Sequence, residues 1–257
     1  MAYLNKEQAL HLEEIKQNVI GLASDLVQHD SGFHSHAHHA QILYAPSGCM
    51  TLLTQHSQVI LPPQKLLYIP AGLEHRVTFR HVVAYRSIYL DVQKLGLNDL
   101  TLQVRVVSPL LTELIERICW WDWEEDYTPP QQRILGVFWD EFQQAKTESY
   151  TLDIPTDYRL QAFMTAFMLE KKVPPFLHEL AQYVGASEKT ITRIFKRETK
   201  MTYQAWRQQW RVYRAIELLA EQESITSISD QLEFSSDSAF IEFFKNHTGT
   251  TPAKYLV

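Results

Sequence analysis

The spacing of hydrophobic residues changes along this chain of 257 residues, and the change limits the folds that it can adopt. Between residues 40 and 91, short runs of β-branched and aromatic residues alternate with turns that contain proline and glycine. From residue 157 onward, apolar residues recur at the three- and four-residue spacing of helices. Short strands with regular turns favour a small barrel or sandwich, and closely joined helices favour an all-α domain. The sequence therefore predicts an α+β protein with two domains.

The boundaries follow from the same pattern. The β-rich part has six candidate strands, at residues 41–45, 50–54, 59–61, 65–69, 76–79 and 82–90. Helices are predicted to begin at Pro109 and Pro129, and an amphipathic helix is predicted over residues 9–27. Residues 146–156 are polar and lack an apolar period, so we expect domains at 1–145 and 157–257 joined by this linker.

Charge is distributed unevenly over the two parts. The net charge is -6, and residues 1–172 account for all of it. Residues 188–214 instead hold eight basic residues against two acidic ones. An acidic domain beside a locally basic stretch indicates that only the C-terminal part contacts a polyanion.

Several classes of protein are excluded or disfavoured. The two cysteines cannot form a disulfide framework or a four-cysteine zinc site. No apolar run is long enough for a membrane helix, and the first residues do not form a signal peptide, so we expect a cytoplasmic protein that does not act at a membrane. The chain has no glycine-rich phosphate loop, no GxSxG motif and no cysteine in a nucleophile context, so no catalytic residues are predicted.

A helix-turn-helix pattern lies at residues 176–198. Gly185 can end the first helix in the left-handed conformation, and Ser187 can cap the second by accepting a hydrogen bond near Thr190. Three apolar residues of the second helix, at 191, 194 and 195, share one face. The opposite face is predicted to contact DNA bases and phosphates, through Ser187, Lys189, Thr190, Arg193, Lys196 and Arg197.

The same plan recurs at residues 225–247. Ser235 is predicted to cap its second helix, and the DNA contacts are predicted at Ser236, Asp237, Ser238 and Lys245. The helix between the two units, at residues 203–220, would be about 27 Å long. That length can hold two recognition helices about one duplex turn apart. Because Asp237 and Glu242 are acidic, we expect the second unit to contribute less affinity.

The run from SEKTITRIFKRETKMTYQAW through SITSISDQLEFSSDSAFIEFFKNHTGTTPAKY resembles the C-terminal DNA-binding domain of AraC/XylS-type transcription regulators, over about 100 residues. Lys200 and Glu233 stand where that family usually has glycine, and a non-glycine residue at positive φ costs on the order of 1 kcal/mol. The resemblance implies a non-enzymatic regulator, activator or repressor, that binds double-stranded promoter DNA. It also implies a small-molecule effector, and as further partners a second copy of the chain and RNA polymerase.

A histidine cluster marks the N-terminal part. His34 and His36 with Gln41 and Gly48, followed by Pro70, Gly72 and His75, resemble the two cupin motifs, with Gln41 in place of glutamate. Cupins are small β-barrels, so the resemblance implies a cupin-like barrel with flanking helices as the sensor domain. Imidazoles at alternate strand positions share one side, which places His34, His36 and His38 in one pocket with His75.

This cluster leaves several interpretations open. An organic effector without metal is the leading one. Three imidazole nitrogens can also bind Zn, Fe, Ni or Cu, which would make the chain a metal-sensing regulator. A metal-dependent cupin oxygenase or isomerase is the rival function, and a solvent-exposed polar loop is the simplest alternative. The tryptophans at 120, 121 and 123 are expected in a core or an interface rather than around a ligand.

Overall fold

A computed structural model describes residues 12–26, 28–79, 83–97, 100–123, 126–170 and 172–255. Within these residues two compact units form. The first contains the described residues up to Leu52 and those from Leu61 to Tyr150. The second contains Leu53–Ile60 and the described residues from Thr151 onward. The first unit is rich in strands and the second in helices, which confirms the predicted α+β fold class.

The elements follow one another in chain order. The strands are β1 Val19–Leu26, β2 His29–Asp30, β3 His39–Tyr44, β4 Met50–Leu53, β5 Ser57–Leu61, β6 Lys65–Ile69, β7 Arg76–Phe79, β8 Val83–Asp91, β9 Gln103–Val106, β10 Thr147–Glu148 and β11 Thr151–Asp153. The helices are α1 Val92–Leu95, α2 Pro109–Cys119, α3 Pro129–Gln144, α4 Tyr158–Glu170, α5 Leu177–Val184, α6 Glu188–Thr199, α7 Tyr203–Ala220, α8 Ile225–Gln231, α9 Asp237–Thr248 and α10 Pro252–Tyr255. The residues predicted as a linker thus contain β10 and β11.

One sheet of the first unit has the order β1-β8-β3-β6-β9-β10. Its central strands are antiparallel, with Ile42 opposite Ile88 and Tyr68 in neighbouring strands. α2 and α3 cover one face, where Ile118, Phe138 and other fully buried residues join the sheet in one core. The remaining strands of this unit, β4, β7 and β2, belong to a second sheet. The described strands therefore form two sheets, not one closed ring.

The prediction of a helix over residues 9–27 is wrong. A short 3-10 turn occupies Leu12–Glu14, and Val19–Leu26 is strand β1, paired along its length with β8. Val19 and Ala23 enter the core that α2 covers, whereas Ile20 and Leu22 enter a second cluster on the other face. A strand buried on both faces reads as a continuous apolar run, and here its spacing imitates a helix. Residues 9–11 lie outside the described part of the chain.

The second unit contains two helix-turn-helix pairs, α5 with α6 and α8 with α9, joined by α7. α7 buries Trp206, Trp210 and Ile216 against the helices around it. Rings pack edge to face at its N-terminal end, where the Phe195 and Trp206 centroids are 5.3 Å apart. The helical bounds predicted from the sequence are confirmed within two residues in this unit.

Lys200 follows α6 with φ of 61°, and Glu233 follows α8 with φ of 57°. Both therefore adopt the left-handed conformation that favours glycine. We expect Lys200→Gly to raise the free energy of unfolding by about 1 kcal/mol. Lys196→Gly, the matched control inside α6, should lower it by about 1 kcal/mol. Urea denaturation measures both changes, and a destabilising Lys200→Gly would contradict the strain at this position.

Candidate nucleic-acid interface and histidine cluster

The first helix-turn-helix has the local geometry that the sequence predicted. α5 ends at Gly185, which has φ of 65°. The Ser187 hydroxyl accepts a hydrogen bond from the backbone N–H of Thr190 at 3.2 Å and so caps α6. Ile191 and Phe195 are fully buried and fix which face of α6 points inward. The opposite face is therefore presented to solvent.

That exposed face is basic. Lys189, Arg193 and Lys196 are exposed, and no ion pair holds any of them within the described part of the chain. Thr190 is half-buried, and its hydroxyl shares a hydrogen bond with the Ser187 hydroxyl at 2.9 Å. Exposed cations beside short polar side chains near a helix start can contact phosphates and base edges together.

Arg197 is on the same helix but has acidic partners. Its guanidinium donates to the Asp157 carboxylate at 3.0 Å and also to Glu198. The pKa of Asp157 is well below its usual range, chiefly because the Arg159 side chain donates to it, and Arg197 adds to the effect. Arg197 is therefore partly neutralised, unlike Lys189 and Arg193.

Three further arginines of the basic stretch at 188–214 are buried or half-buried, so this stretch does not form one continuous basic surface. Arg207 and Arg211 are buried and donate to the carbonyl oxygens of Pro174 and Leu232, each at 2.6 Å. The pKa of Arg211 is lowered to about 10, chiefly by burial and in part by the charge of neighbouring Arg207. Arg214 is paired with Glu217 at 2.9 Å. These three charged groups stabilise the helical unit internally and are not part of its exposed basic face.

The second helix-turn-helix differs from the prediction at its cap. Ser236, not Ser235, caps α9, because its hydroxyl accepts from the Ala239 N–H at 3.2 Å. Asp237 is half-buried and accepts a hydrogen bond from the Thr226 hydroxyl at 2.7 Å. Ser238 and Lys245 are exposed, as predicted for groove contacts.

The histidine cluster forms, although not on a regular strand. His34 makes an isolated bridge to His75, with backbone hydrogen bonds of 2.9 and 2.8 Å. The ring centroids of His34 and His75 are 4.5 Å apart, and those of His34 and His36 are 5.0 Å apart. One nitrogen of each of the three histidines lies within 4.8 Å of the others. His38 is exposed and is not in this group, which corrects its predicted place in the pocket.

Gln41 lies beneath the cluster in a hydroxyl-rich interior. Its side-chain nitrogen donates to Ser87 at 2.9 Å and to Tyr89 at 3.0 Å, and it reaches Tyr85 at 3.3 Å. Its carbonyl oxygen is 3.3 Å from Nε2 of His75. These three β8 residues were not predicted as part of the site, although their spacing of two in the sequence indicates one face of a strand.

Burial favours the neutral forms of His36 and His75. The pKa of His36 falls to about 4, first because burial penalises its charged form and then because His34 and His75 are close. Burial also lowers the pKa of His75, whose Nδ1 lies 2.8 Å from the Leu73 carbonyl oxygen. Nε2 of His36 is buried and has no hydrogen-bond partner among the described residues. A neutral imidazole with a free lone pair can accept a hydrogen bond or bind a metal.

These depressed pKa values predict a pH dependence of stability. The unfolded chain takes up protons on these histidines near pH 6.5, whereas folded His36 does so only near pH 4. The contribution of neutral His36 to the free energy of unfolding is therefore complete above about pH 6.5 and is lost as the pH falls toward 4. We expect the free energy of unfolding, measured with urea, to change less with pH over that interval in His36→Gln than in the wild-type protein. Equal pH dependence in the variant and the wild-type protein would contradict the depressed pKa.

Comparison with known proteins agrees with this geometry. Residues 180–256 match the model of a helix-turn-helix domain family. The chain is 26% identical over 240 residues to the HTH-type transcriptional regulator NimR of Escherichia coli (strain K12), covering 91% of this chain and 83% of that protein. It is 27% identical over 241 residues to the HTH-type transcriptional regulator YobQ of Bacillus subtilis (strain 168), covering 87% and 88%.

Among solved structures, ToxT from Vibrio cholerae aligns over 93% of this chain and 98% of its own, with a TM-score of 0.37 and 11% identity. Similarity at that level is too weak to support a conclusion.

The chain therefore has a C-terminal helix-turn-helix domain, and the two relatives that align along most of it are HTH-type transcriptional regulators. Its C-terminal helix-turn-helix unit, which follows a β-rich N-terminal unit, resembles that of AraC/XylS-type regulators. None of the helices in the described part of the chain has the length and apolar content that a membrane crossing requires.

Proposed function

We propose that this regulator reads promoter DNA mainly through α6. The proposal is carried by Lys189, Arg193 and Lys196, which are exposed on a capped helix whose other face is buried and have no ion-pair partner among the described residues. Lys189 and Lys196 contact phosphates, Arg193 reaches a base edge, and Thr190 and Ser187 approach the backbone near the helix start. Arg197 contributes less, because Asp157 and Glu198 already neutralise part of its charge.

α9 enters the adjacent groove with weaker affinity. Ser236 and Ser238 lie at its N-terminal end, and Lys245 is its basic contact further along. The Asp237 carboxylate is held by its hydrogen bond from the Thr226 hydroxyl, so it does not approach the DNA freely. Since α9 carries little positive charge, pairing of two copies of the chain on one operator strengthens binding.

The N-terminal unit senses a small organic molecule. In this proposal residues 1–145 other than 53–60 form the sensor domain, and 157–257 form the DNA-binding domain together with 53–60 and 151–156. The effector binds at the histidine cluster, where Gln41, the free Nε2 of His36 and Nε2 of His75 offer directional hydrogen bonds. The protein acts in the cytoplasm, and RNA polymerase is its partner at the promoter.

Metal sensing at the same cluster is a second candidate, favoured by three donor nitrogens that lie within 4.8 Å of one another. Neutral imidazoles suit Zn, Fe, Ni or Cu, and His34, His36 and His75 would hold the ion. Gln41 adds no negative charge to this set. Metal analysis of the purified protein separates the two candidates: stoichiometric metal that is lost in His75→Ala supports the ion, and its absence from the wild-type protein eliminates it.

Footprinting on the DNA upstream of the gene tests the proposed DNA contacts. Two protected major-groove segments about one helical turn apart are expected for α6 and α9. Uniform protection without a preferred sequence would contradict sequence-specific recognition. The rival hypothesis, a metal-dependent cupin enzyme, gains no support from the comparisons, because the relatives that align along most of the chain are transcriptional regulators.

A further inference from the structure

A segment from the N-terminal half of the sequence is part of the DNA-binding unit. Residues 53–60 belong to the same compact unit as the residues from 151 onward. β5 pairs with β11 in antiparallel register, with Thr151 opposite Val59 and Asp153 opposite Ser57. The N–H of Ile154 continues the pairing by donating to the His56 carbonyl at 2.7 Å. We call β5, β11 and the following residues to 157 the ribbon.

The ribbon is attached to α7 through buried groups. Nε1 of Trp206, a fully buried residue, donates to the Asp153 carbonyl at 2.7 Å. The Tyr213 hydroxyl donates to the Thr151 carbonyl at 3.4 Å. Leu152, between them, is 1% exposed. The ribbon is therefore packed as a part of this unit and is not a loose connection.

The ribbon is also attached to α6, through Glu198. One carboxylate oxygen of Glu198 accepts from the backbone N–H groups of Thr156 at 2.7 Å and Asp157 at 3.1 Å. These two N–H groups immediately precede α4. Arg197 adds an ion pair from the same end of α6 to Asp157. The C-terminal end of the first recognition helix is thus joined to the ribbon at two adjacent positions.

Local electrostatics indicate what this carboxylate does. An acidic side chain near the C-terminal end of a helix is unfavourable for that helix, because the carbonyl end already carries partial negative charge. Near the start of α4, the same carboxylate is favourable and makes charge-assisted hydrogen bonds. Glu198 therefore does not stabilise α6 itself; it fixes α6 relative to the segment before α4.

We propose that Glu198 is a positioning residue for DNA recognition, and that it holds α6 in register with the ribbon. The inference rests on the proposed reading of DNA by α6. Because β5 comes from the N-terminal half of the sequence, the ribbon joins a segment of that half to the recognition helix within one compact unit.

Glu198→Ala tests the proposal, with Glu188→Ala as the matched control. Glu188 is also on α6, is exposed, and loses the same charge and the same atoms. Hydrogen exchange in the full chain without DNA is the first measurement. We expect the amides of Thr156 and Asp157 to exchange about 5-fold faster in Glu198→Ala, and not in the control, while the Phe195 amide stays protected.

The second measurement is the ratio of affinities for specific and nonspecific DNA. Charge loss changes both affinities equally, whereas a misplaced α6 lowers only the specific one. We expect the ratio to fall about 5-fold in Glu198→Ala, to stay constant in Glu188→Ala, and to recover in Glu198→Gln. Unchanged exchange at Thr156 and Asp157, or equal ratios in both alanine variants, would overturn the proposal. Absence of specific binding by the wild-type protein would instead contradict DNA reading by α6, and the exchange result would still decide the contact.

Discussion

Arg193→Ala is expected to lower the affinity for specific operator DNA by about 10-fold or more, because a well-placed guanidinium on a base edge is worth about 1–3 kcal/mol. Arg193 is exposed in the middle of α6, and no carboxylate neutralises it among the described residues. Its loss should also relax the sequence preference at one base pair. Fluorescence anisotropy with operator variants measures both effects.

Arg133→Ala is the matched control for this prediction. Arg133 is exposed on α3 in the first unit and loses the same charge. Its affinity for operator DNA should stay within about 2-fold of the wild-type value, since an exposed charge outside the recognition helices is screened by solvent and salt. Equal losses in the two variants would show that net charge, and not the position of Arg193 on α6, determines binding.

Gly21→Ala is expected to destabilise the first unit by about 3 kcal/mol or more, because overpacking against fixed atoms is costly. A Cβ at Gly21 would lie 2.3 Å from the carbonyl oxygen of Ile118 and 2.7 Å from the Cα of Cys119. Both are backbone atoms of α2, which cannot move aside as a flexible side chain can. Thermal and urea denaturation measure the loss.

Gly136→Ala supplies the control in the same unit. An added Cβ there meets nothing within 4 Å, and Gly136 lies inside α3. We expect this variant to be stabilised by about 0.5–1 kcal/mol, since alanine replaces glycine in a helix. A tolerated Gly21→Ala would show that β1 and α2 are not in such close contact.

Local signals in the sequence were sufficient to predict the first helix-turn-helix. Gly185, Ser187 and the apolar spacing of α6 determine a turn, a cap and a buried face within a few residues of one another. The predicted N-cap of α9 is wrong by one residue, because Ser235 and Ser236 are both able to cap and the choice depends on where the backbone turns.

Contacts between residues far apart in the sequence determine the structural features that the sequence did not predict. The apolar spacing of Val19 and Leu22 fits a helix, but pairing with β8 and burial of both faces make this segment a strand. The contact between Asp157 and Arg197 joins residues forty positions apart. Burial of Arg207 and Arg211 likewise depends on where α5 and α8 end, so the count of basic residues in 188–214 does not show which of them are exposed.

The central claim is that this chain binds DNA by sequence through its paired recognition helices, and a salt titration of operator and scrambled duplexes tests it directly. The account predicts tighter binding to the operator at every salt concentration. It also predicts that operator affinity falls steeply with salt, and that Arg193→Ala removes much of the difference between the two duplexes. Equal affinity for the two duplexes, or operator binding that does not respond to salt, would contradict it.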